Sequence, residues 1–535
     1  MNAPILDVQQ LSLQELSRHQ ILLHPLSFKV HLGECVALVG ESGSGKSLTA
    51  LSIPNLLPPS IKMHEKSQVI WQGKTDLTQL SEAQVRLYRG RHIGFIFQDP
   101  LHALNPVITI GAQLIEVLKY HNIPDAEREA VSRLAEVGLP EPHTLLNVYP
   151  CHLSGGQQQR VMIAMAMAAR PLLLIADEPT TALDPVTQHH ILSLLNDLRV
   201  KHNMGLLLIS HDLRLIKRWA DRVLVLEKGY LREQGTTIEL FSHPEHRYTR
   251  RLMQAKPDFI EILKGRKEEA TNTDESSMAI LSLKEVSTNI APENTQYLRS
   301  PFQLAPINLN LRASHCIGVI GSSGSGKTTL AKLIMGLIRV GAGKILYRGK
   351  DISTLTHSEQ IAKRSDVQMI FQNPYASLNP SWTIEAILRE PLELTGRSRS
   401  KKEDCEKLYK VLGQVELEAN ASILNRYPSA FSGGQRQRFA LARALLLEPK
   451  ILVCDEATSA LDVSIQAEII ALLSRLRKEQ GLGLLVIAHD LSMISSLADE
   501  VLVMSAGNVI EQGICHKILQ HPMHPITQSL CAASH

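Results

Sequence analysis

"VALVGESGSGKS" occupies residues 36–47, and "IGVIGSSGSGKT" occupies residues 317–328. Each stretch is a short apolar run, followed by the pattern G-x-x-x-x-G-K-[ST] and then by residues that favour a helix. A glycine-rich turn between a buried strand and a helix presents backbone N–H groups to an anion, and the helix N-terminus adds positive potential. The two stretches therefore predict two phosphate-binding loops.

The rest of the chain is duplicated in the same order. Three further strings return after 278 residues in closely similar form. A repeat of this length indicates duplication of a whole domain rather than a solenoid unit. The pairs are "LSGGQQQR" (153–160) with "FSGGQRQR" (431–438), "LLIADEPTTALD" (173–184) with "ILVCDEATSALD" (451–462), and "LLLISHDL" (206–213) with "LLVIAHDL" (484–491).

The duplication predicts the domain boundaries and the fold class. A first domain at residues 4–255 and a second at 279–535 are expected, joined by a flexible linker at 256–278 whose second half is polar. Within each copy, short apolar runs alternate with longer helical patterns. This alternation predicts α/β domains, each with a mainly parallel sheet.

Composition narrows the class of protein. The chain has 535 residues, 44% apolar and 20% charged, with a net charge of +3, so it should fold and is not expected to bind nucleic acid. Its seven cysteines include no CxxC pair, which does not favour disulfides or a zinc framework. Neither a signal peptide nor a run of about 18 apolar residues is found. We expect a chain that is soluble by itself, and any membrane role would need partner chains.

The phosphate loops supply the groups that nucleotide chemistry requires. Lys46 and Lys327 are predicted to reach the β- and γ-phosphates, and the hydroxyls of Ser47 and Thr328 are predicted to bind Mg²⁺. The alternative is a purely structural glycine turn, which two full matches in the same context disfavour. The predicted nucleotide-binding residues of the loops are Gly40, Ser42, Gly43, Gly45, Lys46 and Ser47, with Gly321, Ser323, Gly324, Gly326, Lys327 and Thr328 in the second copy.

Acidic pairs follow apolar strands in both copies, as Asp177-Glu178 and Asp455-Glu456. The carboxyl edge of a parallel sheet is where ligands bind. The two aspartates are predicted to take part in the Mg²⁺ site, and the two glutamates to polarise the attacking water. The alternative is an ordinary acidic pair at a strand end.

A histidine follows an apolar strand in each copy, His211 and His489, 33 residues beyond the glutamate of the acidic pair. A single histidine in such a place is more often structural. The repeated spacing favours a contact with the γ-phosphate.

The "SGGQ" strings stand before sequences that favour helices, so they predict a second anion site in each domain. The alternative is a simple N-cap, which the serines could also provide. The residues concerned are Ser154, Gly155, Gly156 and Gln157, with Ser432, Gly433, Gly434 and Gln435 in the second copy.

A proline-rich stretch is also repeated, as "IFQDPLHALNP" (96–106) and "IFQNPYASLNP" (370–380). Its prolines predict irregular structure after Gln98 and Gln372. The Asn-Pro pairs at the end of each stretch resemble helix starts.

Together these motifs resemble the ATP-binding-cassette ATPase family over nearly the whole chain. The resemblance implies two P-loop NTPase domains, each with a RecA-like core, an antiparallel β part and a helical signature subdomain. It also implies an intramolecular cassette dimer with ATP at two composite sites. One ATP would lie between the Lys46 loop and the Ser432–Gln435 signature, the other between the Lys327 loop and the Ser154–Gln157 signature. Gln98 and Gln372 match the family's glutamine loop, which contacts Mg²⁺ or the attacking water.

The tails "HPEHRYT" and "HPMHPIT", with the proline-rich stretches, resemble importer ATPases for dipeptides, oligopeptides and nickel, including fused members for glutathione- or peptide-antibiotic-type uptake. This resemblance implies ATP and Mg²⁺ as cofactors and uptake of a peptide-like solute or a metal or metal chelate. The implied partners are two transmembrane permease subunits and an extracytoplasmic solute-binding protein. The implied location is peripheral, on the cytoplasmic face of the inner membrane.

One departure and three alternatives stand beside this interpretation. The family's adenine-stacking aromatic residue has no counterpart upstream of Lys46 or Lys327 at the usual distance. A soluble tandem-cassette ATPase acting on ribosomes would need a longer, charged linker. A DNA-repair ATPase would need zinc-binding cysteines, and a substrate kinase would leave the "SGGQ" strings unexplained.

Overall fold

The computed structural model describes residues 3–181, 183–210, 212–254, 259, 262–263, 279–290, 302–371, 377–458, 461 and 463–534. The predictions on His211 and Gln372 lie outside these residues, as do parts of both "ALD" strings and most of the expected linker. The chain divides into two units, and the division falls after residue 256.

The first unit contains two sheets. An antiparallel sheet has the strand order β2-β1-β5-β6, with β4 also paired to β1. A six-stranded sheet has the order β11-β10-β3-β9-β8-β7, parallel except for the edge strand β11. The strands are β1 (Leu6–Glu15), β2 (Ile21–Val30), β3 (Cys35–Val39), β4 (Ile61–Met63), β5 (Gln68–Trp71), β6 (Thr75–Asp76), β7 (Ile93–Ile96), β8 (Leu173–Asp177), β9 (Gly205–Ser210), β10 (Arg222–Glu227) and β11 (Tyr230–Thr236).

The helices of the first unit cover the parallel sheet and form a helical layer that carries the "SGGQ" string. They are α1 (Lys46–Ser52), α2 (Glu82–Val85), α3 (Pro100–Ala103), α4 (Ile110–Tyr120), α5 (Ala126–Glu136), α6 (Pro142–Leu145), α7 (Gly155–Ala166), α8 (Pro185–His202), α9 (Leu213–Trp219), α10 (Thr237–Ser242) and α11 (Arg247–Gln254), with short 3-10 helices at Leu77–Gln79 and Pro150–His152.

The second unit repeats this plan. Its antiparallel sheet has the order β13-β12-β15-β16, and its six-stranded sheet has the order β17-β18-β19-β14-β20-β21, with β21 antiparallel. The strands are β12 (Leu281–Ile290), β13 (Phe302–Leu311), β14 (Cys316–Gly321), β15 (Ala342–Tyr347), β16 (Lys350–Asp351), β17 (Val367–Ile370), β18 (Ile451–Asp455), β19 (Gly483–Ile487), β20 (Glu500–Ser505) and β21 (Asn508–Ile514).

The helices of the second unit follow the same sequence of layers. They are α12 (Lys327–Met335), α13 (His357–Asp366), α14 (Ile384–Leu394), α15 (Lys401–Gln414), α16 (Ala421–Leu424), α17 (Gly433–Leu445), α18 (Val463–Gln480), α19 (Leu491–Leu497), α20 (Cys515–Gln520) and α21 (Pro525–Ala533), with 3-10 helices at Ile352–Thr354 and Pro428–Ala430.

Each parallel sheet separates two apolar cores. In the first unit, Val36 and Leu38 of β3 face the antiparallel sheet, and Ala37 and Val39 face the helical layer. Every residue of β3, β8 and β9 is buried, as expected for parallel strands that are covered on both faces. The predicted fold class, with its parallel core, antiparallel part and helical layer, is confirmed.

The proline-rich stretch is more regular than the sequence predicts. Pro100 begins the one-turn helix α3, because proline is tolerated in the first turn, where its missing N–H has no helical partner. Asn105 does not begin a helix. Its side chain accepts from the Val107 N–H at 3.1 Å in a turn, and Thr109 is the N-cap of α4.

Two described residues of the segment that follows the first unit are apolar and buried. Phe259 and Leu263 are 1% and 2% exposed, and both lie in the helical-layer core of the second unit. This part of the expected linker therefore contributes to a packed core.

Among the described helices, none combines the length and the apolar character that crossing a bilayer requires.

A cationic side chain, buried in the second unit and partly buried in the first, supports the end of the helix that follows each phosphate loop. In the second unit, the Lys363 amine donates to the carbonyl oxygens of Ile334 (2.8 Å) and Met335 (3.1 Å) at the end of α12. In the first unit, Arg89 makes the same kind of contact with Pro54 and Asn55. Burial lowers the pKa of Lys363 to about 8. Free carbonyls at a helix C-terminus thus receive donors from a neighbouring element.

The titration of Lys363 gives a pH-dependent contribution to stability. Because the pKa is lower in the folded protein, the cost of burying the charge is present below pH 8 and is relieved between about pH 8 and pH 10.5, by at most about 3 kcal/mol. The melting temperature of the parent protein should therefore rise relative to Lys363→Met as the pH is raised from 7.5 to 9.5. Exposed Lys402→Met is the control, and an unchanged difference between parent and Lys363→Met would contradict the prediction.

Candidate active site

The phosphate loops are shaped by close contacts that only glycine allows. A Cβ atom at Gly40 would lie 2.1 Å from the carbonyl oxygen of Leu226 in β10, and one at Gly321 would lie 2.1 Å from that of Met504. Gly45 and Gly326 precede the following helices with φ of 99° and 106°, a region that L-residues avoid. The loop therefore turns tightly between the end of one strand and the first turn of a helix.

The loop lysines lie inside the curve of their own loops. Lys46 Nζ donates to the carbonyl oxygens of Gly40 (2.8 Å) and Glu41 (3.0 Å). Lys327 makes the equivalent bonds to Gly321 and Ser322, both at 2.9 Å. Burial lowers the pKa of Lys327. A buried ammonium that donates to carbonyl oxygens can exchange them for the more negative oxygens of an anion.

A hydroxyl and a carboxylate meet at the edge of each parallel sheet. Ser47 Oγ donates to Asp177 Oδ1 at 3.1 Å, and Thr328 Oγ1 donates to Asp455 Oδ1 at 3.3 Å. Burial raises the pKa of Asp177 to about 6 and also raises the pKa of Asp455. These are hard oxygen donors in a place that disfavours an uncompensated negative charge, so the donor set fits Mg²⁺.

Each glutamate of the acidic pair has a left-handed backbone, with φ of 45° at Glu178 and 48° at Glu456. Their N–H groups donate to the carbonyl oxygens of Ile209 (3.0 Å) and Ile487 (2.9 Å). For a residue other than glycine this conformation is strained, and strain of this kind is held where a side chain must be aimed.

The glutamate side chains contact other predicted site residues. In the first unit, one Glu178 oxygen accepts from Gln98 Nε2 and from Thr181 Oγ1, both at 3.0 Å. In the second unit, His489 Nε2 lies 2.5 Å from Glu456 Oε1. The described residues therefore place Gln98 beside Glu178 and His489 beside Glu456, while Thr181 was not singled out from the sequence.

The "SGGQ" strings form capping boxes at helix N-termini. The Gln157 N–H donates to Ser154 Oγ at 3.3 Å, and the Ser154 N–H donates to Gln157 Oε1 at 2.9 Å. Ser432 and Gln435 make the same pair of bonds. The simple N-cap role is thus present in both units. Both N-cap serines are exposed, so the positive N-terminus of each helix remains accessible to an anion.

Further residues next to the first phosphate loop were not predicted. The Glu41 N–H donates to the Tyr248 hydroxyl, and the Glu41 carboxylate pairs with Arg251. The only signal in the sequence is a difference between the two tails, which have Tyr248 and Arg251 in the first copy and Ile526 and Ser529 in the second.

Aromatic side chains also lie near the first loop, although the expected upstream aromatic residue is absent. His24 stacks on Tyr230 with ring centroids 3.6 Å apart, and the neighbouring Gly229 N–H donates to the Ser44 carbonyl oxygen. The aligned positions of the second copy are Ala305 and Asn508. The two loops therefore have different surroundings.

Comparison with known families gives two matches. The model for the ABC transporter family matches residues 23–181 and 304–459. The model for the oligopeptide/dipeptide transporter C-terminal region matches residues 232–278. The two matches to the ABC transporter model together cover more than half of the chain. The match to the C-terminal region model includes α11, the tail of the first unit.

Two curated proteins are similar over almost the whole chain. The peptidoglycan transport ATP-binding protein YejF of Agrobacterium fabrum (strain C58) is 40% identical over 99% of this chain and 96% of its own length. The glutathione import ATP-binding protein GsiA of Escherichia coli (strain K12) is 37% identical over 95% of this chain and 85% of its own length. A solved structure of a dimeric bacterial ABC transporter cassette, MJ0796, is 27% identical over 44% of this chain and 98% of its own, with a TM-score of 0.39.

The buried carboxylate of Asp177 should destabilise the protein without nucleotide. Its pKa is raised to about 6 in the folded state, so the folded protein binds this proton more tightly than the unfolded chain does. The free energy of unfolding therefore falls as the pH rises from about 4 to 6. Near pH 7 the full cost, at most about 3 kcal/mol, is present. Asp177→Asn should therefore raise the melting temperature at pH 7, and the gain should shrink toward pH 4.5. The control is exposed Asp197→Asn. A lower melting temperature for Asp177→Asn at pH 7 would refute this assignment.

Proposed function

This chain belongs to the ABC transporter family, and we propose that it is the ATP-hydrolysing subunit of an importer for a peptide-like solute. The observation that supports this most directly is the sheet edge of the first unit, where Ser47 meets Asp177 and Gln98 meets Glu178. ATP hydrolysis is the chemistry of this family, and the chain is an ATPase of that kind. The substrate class rests on the relatives, which are named for peptidoglycan transport and glutathione import. A metal or metal chelate is the alternative solute.

Nucleotide binding would begin at the loops. The phosphates would attract the ammonium of Lys46 away from the carbonyl oxygens of Gly40 and Glu41, since a phosphate oxygen carries more negative charge. The loop N–H groups and the N-terminus of α1 would donate to the same phosphates. Lys327 would act in this way in the second unit.

Magnesium, when bound with the nucleotide, would neutralise part of the phosphate charge. Ser47 with Asp177, and Thr328 with Asp455, are the residues that would hold it. The raised pKa values of both aspartates fit this role, because a cation would compensate the charge that burial disfavours.

The glutamates would act on the attacking water. Glu178 would accept a hydrogen bond from the water while Gln98 and Thr181 hold its carboxylate in place. In the second unit, the His489 ring nitrogen contacts one carboxylate oxygen of Glu456. A γ-phosphate would accept a hydrogen bond from His489 instead, and this exchange would free Glu456 for the water.

We further propose that each ATP is held at a composite site, with the loop of one cassette and the capped "SGGQ" helix of the other. Support comes from each unit separately, because both have a phosphate loop and an exposed serine at a helix N-terminus. Two halves of one chain can pair efficiently, since their connection raises the effective concentration.

The proposed partners are two transmembrane permease subunits and an extracytoplasmic solute-binding protein, with this chain on the cytoplasmic face of the inner membrane. The second unit offers a candidate contact for a permease segment. A cavity of about 480 Å³ beside α14 is lined by Trp382, Glu385, Arg389, Glu390 and Glu393, among others. Three glutamates and one arginine leave a negative surface next to an exposed aromatic ring. Such a surface suits a permease segment that carries basic residues.

Removing the proposed water-activating carboxylates should separate binding from hydrolysis. The double variant Glu178→Gln, Glu456→Gln keeps side-chain size and hydrogen bonding but loses basicity. Its ATP hydrolysis rate should fall by about 100-fold or more, because a positioned base contributes at least that much, while ATP affinity stays within a few-fold of the parent. Phosphate release and nucleotide binding are the measurements. Turnover at the parent rate would show that these glutamates do not act as bases.

Association with membranes should depend on the permeases. When the chain is co-expressed with the two permease subunits proposed as its partners, it should copurify with the membrane fraction, and it should not do so alone. Glu385→Gln with Glu393→Gln should weaken copurification severalfold, whereas Glu479→Gln, at an exposed position of α18, should not. Sedimentation with ribosomes in place of membranes would count against transport.

A further inference from the structure

The second residue of the first phosphate loop, Glu41, is held by the tail of the same unit. Its N–H donates to the hydroxyl oxygen of Tyr248 at 3.0 Å, and its carboxylate lies 3.0 Å from Arg251 Nη2. Both partners belong to α11. Tyr248 is 3% exposed, and burial raises its pKa to about 12, so its hydroxyl stays neutral at physiological pH.

The tail that makes these contacts is itself firmly placed. Just before α11, the Glu233 carboxylate of β11 accepts from the N–H groups of Glu245 (2.8 Å) and His246 (3.1 Å). Tyr248 and Leu252 are part of the helical-layer core. The loop therefore rests on an element whose position is fixed by packing and by hydrogen bonds away from the nucleotide.

The second unit has the same tail without the same contact. There the Glu511 carboxylate accepts from the Met523 N–H at 2.9 Å, so the tail begins in the same way. The positions that align with Glu41, Tyr248 and Arg251 are Ser322, Ile526 and Ser529. Neither an isoleucine nor a serine at these places supplies the phenolic hydroxyl or the guanidinium that holds the first loop.

The difference matters when a nucleotide binds. Before binding, the lysine of each loop bonds the carbonyl oxygens of the first two loop residues. A phosphate that attracts the ammonium removes those bonds. Glu41 would then still be held by Tyr248, and its negative charge, which would repel phosphate, would still be paired with Arg251. A loop that keeps its shape loses less freedom on binding.

We propose that Tyr248 and Arg251 are positioning residues for the first nucleotide site, and that this site consequently binds nucleotide more tightly than the second. The inference rests on the proposed nucleotide sites and adds that the two sites differ in nucleotide affinity. It also gives the tail of the first cassette a role beyond packing, because the shape and charge of the loop depend on it.

The test uses the full-length protein with one loop lysine removed, so that each site can be measured separately with a methylanthraniloyl derivative of ATP. In the Lys327→Ala background, Tyr248→Phe should raise the dissociation constant of the first site by about two- to tenfold, the effect of one net hydrogen bond. In the Lys46→Ala background the same substitution should leave the second site unchanged. Tyr120→Phe is the matched control, because Tyr120 at the end of α4 is exposed.

A second measurement separates positioning from a merely structural role. Arg251→Ser should weaken binding at the first site, because it leaves the Glu41 charge unpaired. Adding Glu41→Ser, which copies Ser322 of the other loop, should restore the affinity. Loss of packing would not be rescued by removing a carboxylate. The melting temperature of each variant shows whether the fold is kept.

Three results would overturn the inference. An unchanged dissociation constant in Tyr248→Phe would show that the contact does not support binding. An equal loss at both sites would show general destabilisation instead of positioning. If neither single-lysine background binds the nucleotide derivative, the proposed nucleotide sites fail, and the inference fails with them.

Discussion

The close approach between the phosphate loop and the neighbouring strand is the constraint on which the rest of each unit depends. Gly40 and Gly321 lie so near the carbonyl oxygens of Leu226 and Met504 that any side chain would collide with them. Because the loop passes this close to the sheet, the lysine and the hydroxyl residue that follow lie at the sheet edge. The acidic pair lies at the same edge, so the phosphate-binding lysine and hydroxyl lie next to the carboxylates, and no long loop is needed to bring them together.

The sheet edge combines features that cost stability. Asp177 and Asp455 are buried carboxylates whose pKa values burial raises. Glu178 and Glu456 have strained backbones. Such costs are tolerated where a ligand will compensate the charge and where a side chain must keep one direction. The surrounding apolar layers on both faces of the sheet supply the stability that allows this.

The sequence was sufficient for the parts of the structure that depend on local patterns. The duplicated motifs predicted the parallel core, the loops and the strand-end carboxylates, because apolar runs and glycine spacing directly reflect burial and backbone shape. The left-handed backbone of Glu178 could not be predicted, since nothing in its residue type requires it. The contact of Tyr248 with Glu41 joins residues 207 positions apart and depends on how the tail packs. The helix at Pro100 differs from the predicted irregular structure because proline, which breaks a helix interior, fits its first turn.

The two halves of the chain are similar in fold but not in the details around their loops. The first loop is contacted by the tail and lies near a histidine–tyrosine stack, and the aligned positions in the second copy have none of these side chains. The central claim is nevertheless that one chain carries two nucleotide sites. The number of nucleotides bound per chain tests it most directly, by equilibrium dialysis of Glu178→Gln, Glu456→Gln with MgATP. The account predicts two per chain, falling to one when Lys46→Ala is added. A single nucleotide per chain before that change would contradict it.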